Sequence, residues 1–169
     1  MRIRRSMLSL LIVLAVLPPG GHAQPDVSLI GRHAPVFSLP SLDGSPVSLA
    51  SARGRVVLLN FWATWCAPCR LEMPQFAAWQ KQYGPQGLQI IGVSIDDSQP
   101  PVRAFVAKLH LGYPIVMGDA QLGERYGGVL GVPVTFLIDR RGIIRARFNG
   151  ESDLGAMHAR LQRLLAESR

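Results

Sequence analysis

The stretch VVLLNFWATWCAPCR, residues 56–70, decides the fold of this 169-residue chain. Its first part, Val56–Trp62, is a nearly continuous run of apolar, β-branched and aromatic residues, which predicts a strand buried on both faces. The only two cysteines of the chain, Cys66 and Cys69, follow at a spacing of three. Apolar residues at helical spacing then predict a helix from Cys66 to about Gln82. A buried strand therefore leads directly into a helix that carries both cysteines at its amino terminus.

Two cysteines this close can form a structural crosslink, part of a metal site or a redox couple. A disulfide across three residues closes so small a loop that it removes little entropy from the unfolded chain, which argues against a crosslink. A structural zinc site needs about four ligands, and the chain has no second CxxC. We interpret His33, His110 and His158 as surface or hydrogen-bonded histidines. A Cu(I) chaperone that uses both thiolates and a distant histidine stays open as an alternative.

The position of the pair favours redox chemistry. The unpaired N–H groups and the dipole at a helix amino terminus stabilise an anion, so we expect the pKa of Cys66 to lie below the free thiol value of about 8.5. Cys69, one turn further along, is expected to be more buried and protonated. Cys66 is thus the predicted nucleophile and Cys69 the predicted resolving thiol. We expect neither a metal nor a cofactor.

The amino terminus has the pattern of an export signal. Met1–Arg5 carries three arginines, and the apolar segment Met7–Leu17 is too short to span a bilayer, which takes about 20 residues. The small residues around His22 predict cleavage after Ala23. We therefore expect a signal peptide at 1–23 and one domain at 24–169, with an uncleaved membrane anchor as the alternative.

Charge and composition exclude one class of partner. The formal net charge is +7, and removing the three leader arginines leaves +4. The remaining basic residues form no stripe with interleaved aromatic residues, so we expect no nucleic acid partner. A hydrophobic content of 48% is enough for one domain with a substantial core.

Elements along the rest of the chain alternate. Short runs at Ala34–Leu39 and Pro46–Leu49 flank Asp43-Gly44 and predict a β-hairpin. Further strands are predicted at Leu88–Ile95, Tyr113–Met117, Val134–Ile138 and Ile143–Phe148, and further helices at Val102–Leu109, Ala120–Tyr126 and Ser152–Glu167, the last capped by Ser152. This order indicates an α/β fold with a mixed, partly parallel sheet that has helices on both faces.

Two segments, residues 31–74 and 128–150, also carry a family resemblance. The first places a WCxPC site between an apolar strand and Pro74, and the second is GVLGVPVTFLIDRRGIIRARFNG. From Ala34 to about Ala166 the chain resembles the thioredoxin-like thiol-disulfide oxidoreductases of the bacterial periplasm, the group that contains TlpA, ResA and CcmG (DsbE). The resemblance implies a thioredoxin-like fold, a central mixed sheet flanked by helices, with an amino-terminal β-hairpin and a helical insertion, 101–109, after the second core strand.

The resemblance extends to the site. It implies a cis peptide bond between Val132 and Pro133 that faces the cysteines, so that the backbone of Val132 can pair with an extended substrate. Trp65 and Pro68, beside the cysteines, are expected to contact that substrate. Glu72 matches a glutamate that assists thiol ionisation in ResA-like proteins. The alternative for Glu72 is a solvated helix charge, and the sequence leaves both open.

Two positions depart from the family patterns. Asn60 stands where thioredoxin has a buried aspartate, and we interpret it as a hydrogen-bonded polar group in a core strand. Val134 stands where CcmG-type proteins carry a glutamate, which weakens the case for a role specific to cytochromes.

The function implied is an exported, monomeric enzyme that reduces disulfides in partner proteins, such as apocytochrome c or a copper-site protein. Its implied electron donor is a membrane thiol transporter such as CcdA or DsbD, and its implied compartment is the periplasm. A disulfide-forming oxidant and a Cu(I) chaperone are the alternatives. A peroxiredoxin is disfavoured because Ala63 stands where that class carries a threonine.

Overall fold

A computed structural model describes residues 29–167, so the predicted signal peptide, residues 1–23, lies outside the described residues. Between residues 29 and 167 the chain forms seven strands, four α-helices and two short 3-10 helices. The strands are β1 (Ser38–Pro40), β2 (Pro46–Ser48), β3 (Val56–Trp62), β4 (Leu88–Ser94), β5 (Ile115–Met117), β6 (Val134–Ile138) and β7 (Ile144–Asn149). The α-helices are α1 (Ala67–Tyr83), α2 (Gln99–Leu109), α3 (Ala120–Arg125) and α4 (Leu154–Ala166).

Strand β3 lies at the centre of a five-stranded mixed sheet with the order β5-β4-β3-β6-β7. It pairs in parallel with β4 and antiparallel with β6, so that Asn60 lies opposite both Gly92 and Thr135. All seven residues of β3 are buried. The predicted buried central strand is therefore confirmed, and so are the mixed sheet and the helical insertion, α2, after the second core strand.

The two faces of the sheet build separate hydrophobic cores. Leu58 and Trp62 point to the face that α1 and α4 cover, whereas Leu59 and Phe61 point to the opposite face, as alternation along a strand requires. On that second face lie α3 and the amino-terminal hairpin, together with Phe136. With α1 and α4 on one side and α3 and the hairpin on the other, β3 has no solvent-facing surface, which explains its continuous apolar sequence.

The amino-terminal hairpin is confirmed, with shorter strands than predicted. β1 and β2 pair antiparallel, and Ser38 lies opposite Ser48. Residues before β1 pair elsewhere, because the Gly31 N–H donates to the Ile144 carbonyl at 2.8 Å and the Ala34 N–H donates to the Gly142 carbonyl at 2.8 Å. The chain at 31–34 thus bonds to residues 142–144 at the start of β7, and of the predicted strand only Ala34 takes part.

The start of the last helix differs from the prediction. Asp153, not Ser152, caps α4, since its carboxylate accepts the Ala156 N–H at 3.0 Å. The Ser152 N–H donates instead to the Glu72 carboxylate at 3.0 Å. An aspartate in the N-cap position satisfies a free helix N–H and also places a negative charge at the positive end of the helix, which a serine does not.

Helix α2 begins at Gln99, three residues before the predicted start at Val102. Pro100 and Pro101 fit its first turn because helix N–H groups there have no partner within the helix. In the described part of the chain, none of the helices is long and apolar enough to cross a membrane.

Candidate active site

The loop after β3 places Cys66 at the amino terminus of α1. The Cys66 N–H donates to the Ala63 carbonyl at 3.1 Å and closes a turn, and the helix begins at the next residue. Cys66 is the N-cap residue, and its Sγ accepts the Cys69 N–H at 3.2 Å. Pro68 in the first turn costs no helix hydrogen bond. The sulfur of Cys66 therefore lies where the backbone stabilises a negative charge.

Cys66 and Cys69 form a disulfide, with their Cα atoms 5.3 Å apart. Cys66 is 4% exposed and Cys69 is fully buried. Cys69 is therefore the more buried of the two cysteines, as expected, although the difference is small. One helical turn is thus sufficient to bring the two sulfurs into bonding range.

Glu72 follows one turn after Cys69, and its side chain is 3% exposed. One carboxylate oxygen accepts the Ser152 N–H at 3.0 Å, and the other has no hydrogen-bond partner among residues 29–167. Burial raises the pKa of Glu72, the hydrogen bonds from Ser152 partly oppose this, and the nearby charge of Glu151 adds to it. A solvated helix charge is therefore the wrong interpretation of Glu72.

The two tryptophans that precede the cysteines have different surroundings. Trp62 is fully buried and packs on Phe105 of α2, with ring centroids 5.3 Å apart. Trp65, next to Cys66, is 65% exposed, and Pro68 is partly exposed. The burial of Trp62 agrees with the predicted buried strand, and Trp65 is exposed beside the cysteines, where a substrate contact was expected.

The peptide bond between Val132 and Pro133 is cis, as expected. β6 begins at the next residue, Val134, which pairs with Phe61 near the end of β3. Because β3 and β6 are antiparallel, the start of β6 and the end of β3 lie at the same edge of the sheet. The fold thus brings the cis proline to the edge from which the cysteine loop emerges.

Asn60 is 1% exposed on the face of β3 that α1 covers. Its Nδ2 donates to Thr135 Oγ1 at 2.9 Å, whereas its Oδ1 has no partner among the described residues. The expectation of a hydrogen-bonded core residue holds for the amide nitrogen alone.

One carboxylate that contacts the cysteine loop was not identified from the sequence. The Asp96 carboxylate, just after β4, accepts hydrogen bonds from the backbone and the hydroxyl of Thr64 in the cysteine loop. A signal was present, because acidic residues directly follow an apolar strand at 96–97. The carboxyl ends of parallel neighbouring strands meet at one edge of a sheet, where functional loops collect.

No group of three or more His, Cys, Asp or Glu residues between positions 29 and 167 is arranged to hold a metal ion. His158 has a structural position, because its ring stacks on Trp79 at 5.0 Å between centroids and shares a 2.8 Å hydrogen bond with the Tyr83 hydroxyl. His33 and His110 are exposed.

Comparison with known proteins agrees with this geometry. The profile of the AhpC/TSA family matches residues 30–147. The thioredoxin-like protein YneN of Bacillus subtilis (strain 168) is 42% identical over 118 residues, which is 68% of each chain. The thiol-disulfide oxidoreductase ResA of Bacillus thuringiensis subsp. konkukian is 34% identical over 122 residues, 72% of this chain and 70% of that one.

Solved structures give the same result. A Chlorobium tepidum protein assigned as thiol:disulfide interchange protein DsbE is 32% identical, with a TM-score of 0.76 over 81% of this chain and 98% of its own. A second thiol:disulfide interchange protein of the thioredoxin family from Chlorobium tepidum TLS is 30% identical, with a TM-score of 0.73 over 79% and 96% of the two chains. The chain belongs to the AhpC/TSA family, and it is a thioredoxin-fold protein-disulfide oxidoreductase of the TlpA, ResA and CcmG type.

Proposed function

We propose that the protein is an exported reductase of disulfides in partner proteins, with Cys66 as nucleophile and Cys69 as resolving thiol. The observation that carries this proposal is the 3.2 Å hydrogen bond from the Cys69 N–H to Cys66 Sγ at the start of α1. Free N–H groups and the helix dipole favour a thiolate at this position. Cys69 is fully buried, which disfavours its ionised form.

The reaction moves two electrons from the enzyme to its partner. The Cys66 thiolate attacks one sulfur of the partner disulfide, that bond breaks, and a mixed disulfide forms while the other partner sulfur leaves as a thiolate and takes up a proton. Cys69 then loses its proton and attacks Cys66 Sγ. The mixed disulfide breaks, the second partner thiol is released, and the enzyme is left as the Cys66–Cys69 disulfide.

Glu72 is the proposed acceptor of the Cys69 proton. It lies three residues after Cys69, on the same side of α1, and it is buried with one carboxylate oxygen that has no partner in the described structure. A carboxylate whose pKa burial has raised is a better base than a solvated one.

The partner is proposed to contact Trp65 and Pro68 and to pair in extended form with the backbone of Val132, beside Pro133. The exposure of Trp65 supports this placement, because a large aromatic surface next to a reactive sulfur gives a partner apolar area to bury.

The cellular assignment rests on the leader and on the relatives. Residues 1–23 have the pattern of a signal peptide, which supports export to the periplasm, or an amino-terminal anchor there if cleavage fails. We propose one domain at 24–169, active as a monomer. The relatives are named thiol-disulfide oxidoreductase and thiol:disulfide interchange protein, which supports disulfide exchange with a protein partner. We propose apocytochrome c or a copper-site protein as that partner and CcdA or DsbD as the electron donor.

Trapping tests the assignment of the two sulfurs. Cys69→Ala removes the resolving thiol, so mixed disulfides should accumulate on Cys66 and mass spectrometry should identify the captured proteins. Cys66→Ala should abolish turnover. Turnover that survives in Cys66→Ala, or complexes linked through position 69 of a Cys66→Ala chain in place of those through Cys66, would contradict the roles.

The direction of electron flow needs a separate measurement. A reductase of this kind should equilibrate with glutathione or dithiothreitol at a potential well below the value of about −120 mV for a strong oxidant such as DsbA. A potential near that value would assign the protein to disulfide formation. If the reduced protein held Cu(I) against a competing chelator, the chaperone alternative would replace the reductase.

A further inference from the structure

The carboxylate of Asp96 is bound to the loop that leads to Cys66. Oδ1 accepts the Thr64 hydroxyl at 2.6 Å, and Oδ2 accepts the Thr64 N–H at 3.0 Å. A third hydrogen bond, from the Ser94 hydroxyl to Oδ2 at 2.8 Å, fixes the carboxylate from its own strand. The Ser94 hydroxyl oxygen in turn accepts the Asp96 N–H at 3.1 Å.

These contacts extend the pairing of β3 and β4 beyond its last backbone rung. The parallel ladder ends with Trp62 opposite Ser94, and the Ile95 N–H still donates to the Trp62 carbonyl at 2.9 Å. Past that point the chain after β3 turns towards α1. The Asp96 side chain, not a backbone carbonyl, then receives the N–H of Thr64.

Thr64 has a defined relation to the reactive sulfur. It is the second residue of the turn that the Cys66 N–H closes on the Ala63 carbonyl, and Trp65 and Cys66 follow it directly. Two hydrogen bonds to a single residue restrict both its backbone and its side chain. The loop is therefore held at one end by Asp96 and at the other by the contact of Cys66 Sγ with the first turn of α1.

The carboxylate of Asp96 is buried, so it needs hydrogen-bond partners within the protein. Asp96 is 9% exposed, and a buried carboxylate is costly unless hydrogen bonds satisfy it. Here both oxygens are satisfied, and two of the three bonds go to the cysteine loop. Hydrogen bonds to charged groups are stronger than neutral ones, so this pair is well suited to hold a loop in one geometry.

We propose that Asp96 is a positioning residue for thiol-disulfide exchange: through Thr64 it holds Cys66 Sγ in line with the free N–H groups of α1. None of its hydrogen bonds reaches either sulfur, so it acts through the loop. This inference rests on the proposed role of Cys66 as the nucleophile.

A pair of Thr64 variants tests the inference with every charge retained. Thr64→Val keeps the side-chain shape and removes the hydroxyl bond to Asp96, whereas Thr64→Ser keeps that bond. The readout is the rate at which iodoacetamide alkylates Cys66 in a reduced Cys69→Ala background, followed across pH. Thr64→Val should lower the rate about three- to tenfold at neutral pH, as expected for one lost bond to a charged group, and raise the apparent pKa of Cys66. Thr64→Ser should stay within about twofold of the parent.

A second pair separates the hydrogen bonds from the charge. Asp96→Ala should lower turnover of a disulfide-bonded protein substrate by about tenfold or more. Asp97→Ala is the matched control, because Asp97 is adjacent, exposed and has no side-chain hydrogen bond or ion pair to a described residue. It removes the same charge and should stay within about twofold. If Asp96→Ala does not fold, the Thr64 pair still decides.

Two outcomes would overturn the proposal. One is a Thr64→Val protein that reacts like its parent, and the other is equal loss of turnover in Asp96→Ala and Asp97→Ala. A different result, in which Cys66 of the parent protein is no more reactive than an unstructured thiol, would remove the proposed nucleophile itself and the positioning role with it.

Discussion

Glu72 is a buried carboxylate one turn beyond Cys69, and its surroundings shape its chemistry. Burial favours its protonated form and raises its pKa, while the Ser152 N–H stabilises the ionised form and limits that rise. The folded protein therefore binds a proton at this carboxyl more tightly than the unfolded chain does. The contribution of Glu72 to stability is complete below the ordinary glutamate pKa and is lost as pH rises through the raised value.

Because the pKa of Glu72 is raised in the folded protein, the stability of a Glu72→Gln variant relative to the parent should depend on pH. Glutamine mimics the protonated form and can still accept the Ser152 N–H. In urea unfolding of the oxidised proteins, the variant should gain stability relative to the parent at about pH 8, and the gain should vanish near pH 4, below the ordinary value. A variant less stable than the parent at high pH would contradict the burial argument.

The same variant tests the proposed proton transfer. Without a base at this position, release of the partner from the mixed disulfide should slow by about 100-fold, measured by stopped-flow after formation of the complex. Glu151→Gln is the control. Glu151 is exposed, and its substitution removes a neighbouring charge but leaves the Glu72 carboxylate in place. Equal rates in the parent and Glu72→Gln would exclude Glu72 as the acceptor.

At the scale of elements, α1 and α4 together support the site. α1 runs without a break from Ala67 to Tyr83, although Pro74 lies inside it. α4 packs on it through His158, which contacts both Trp79 and the Tyr83 hydroxyl. The chain just before α4 reaches back to the Glu72 carboxylate. The position of the α4 start is thus coupled to the helix that carries the cysteines.

The capping of α4 can be tested with neighbouring residues. Asp153→Ala removes the carboxylate that accepts the Ala156 N–H, so it should lower the free energy of unfolding by about 1 kcal/mol. Ser152→Ala keeps the backbone N–H that binds Glu72 and should change stability by less than about 0.5 kcal/mol. Chemical denaturation of both variants measures the difference, and the reverse order would restore Ser152 as the cap.

At the scale of the whole molecule, the five-stranded sheet separates two hydrophobic cores and contributes side chains to both. Successive residues of β3 enter different cores, so that Leu58 packs with α1 and α4 and Leu59 packs with the hairpin and α3. Both side chains are fully buried. Because one strand supplies both cores, we expect them to unfold together.

Three leucine variants test this. Leu58→Ala and Leu59→Ala should each lower the free energy of unfolding by about 2 to 5 kcal/mol, with a single transition in each case. Leu71→Ala is the control, because Leu71 is 74% exposed on α1 and should cost less than about 0.5 kcal/mol. Two separate transitions would show that the cores are independent, and a small effect at either buried leucine would contradict the predicted cost of its truncation.

Much of the fold was predictable because it is encoded over short distances along the chain. The apolar run of β3 predicted burial on both faces, and the spacing of Cys66 and Cys69 after that run predicted two thiols one helical turn apart at a helix start. The exposure of Trp65 and the burial of Trp62 followed from the same stretch. In each case the deciding residues lie within a few positions of one another, so local periodicity was a sufficient guide.

Contacts between distant segments were not predictable in this way. The Ser152 N–H meets a carboxylate 80 residues earlier, and Thr64 meets Asp96 across 32 residues. Burial of Glu72, which the sequence left open, depends on how α1 and the chain before α4 pack together. The sequence by itself determined the order of strands and helices along the chain, the pair of cysteines, and the position of Cys66 one turn before Cys69 at the start of α1. Only the tertiary structure decided which polar groups support that pair, because those partners meet through sheet register and helix packing, which no local pattern encodes.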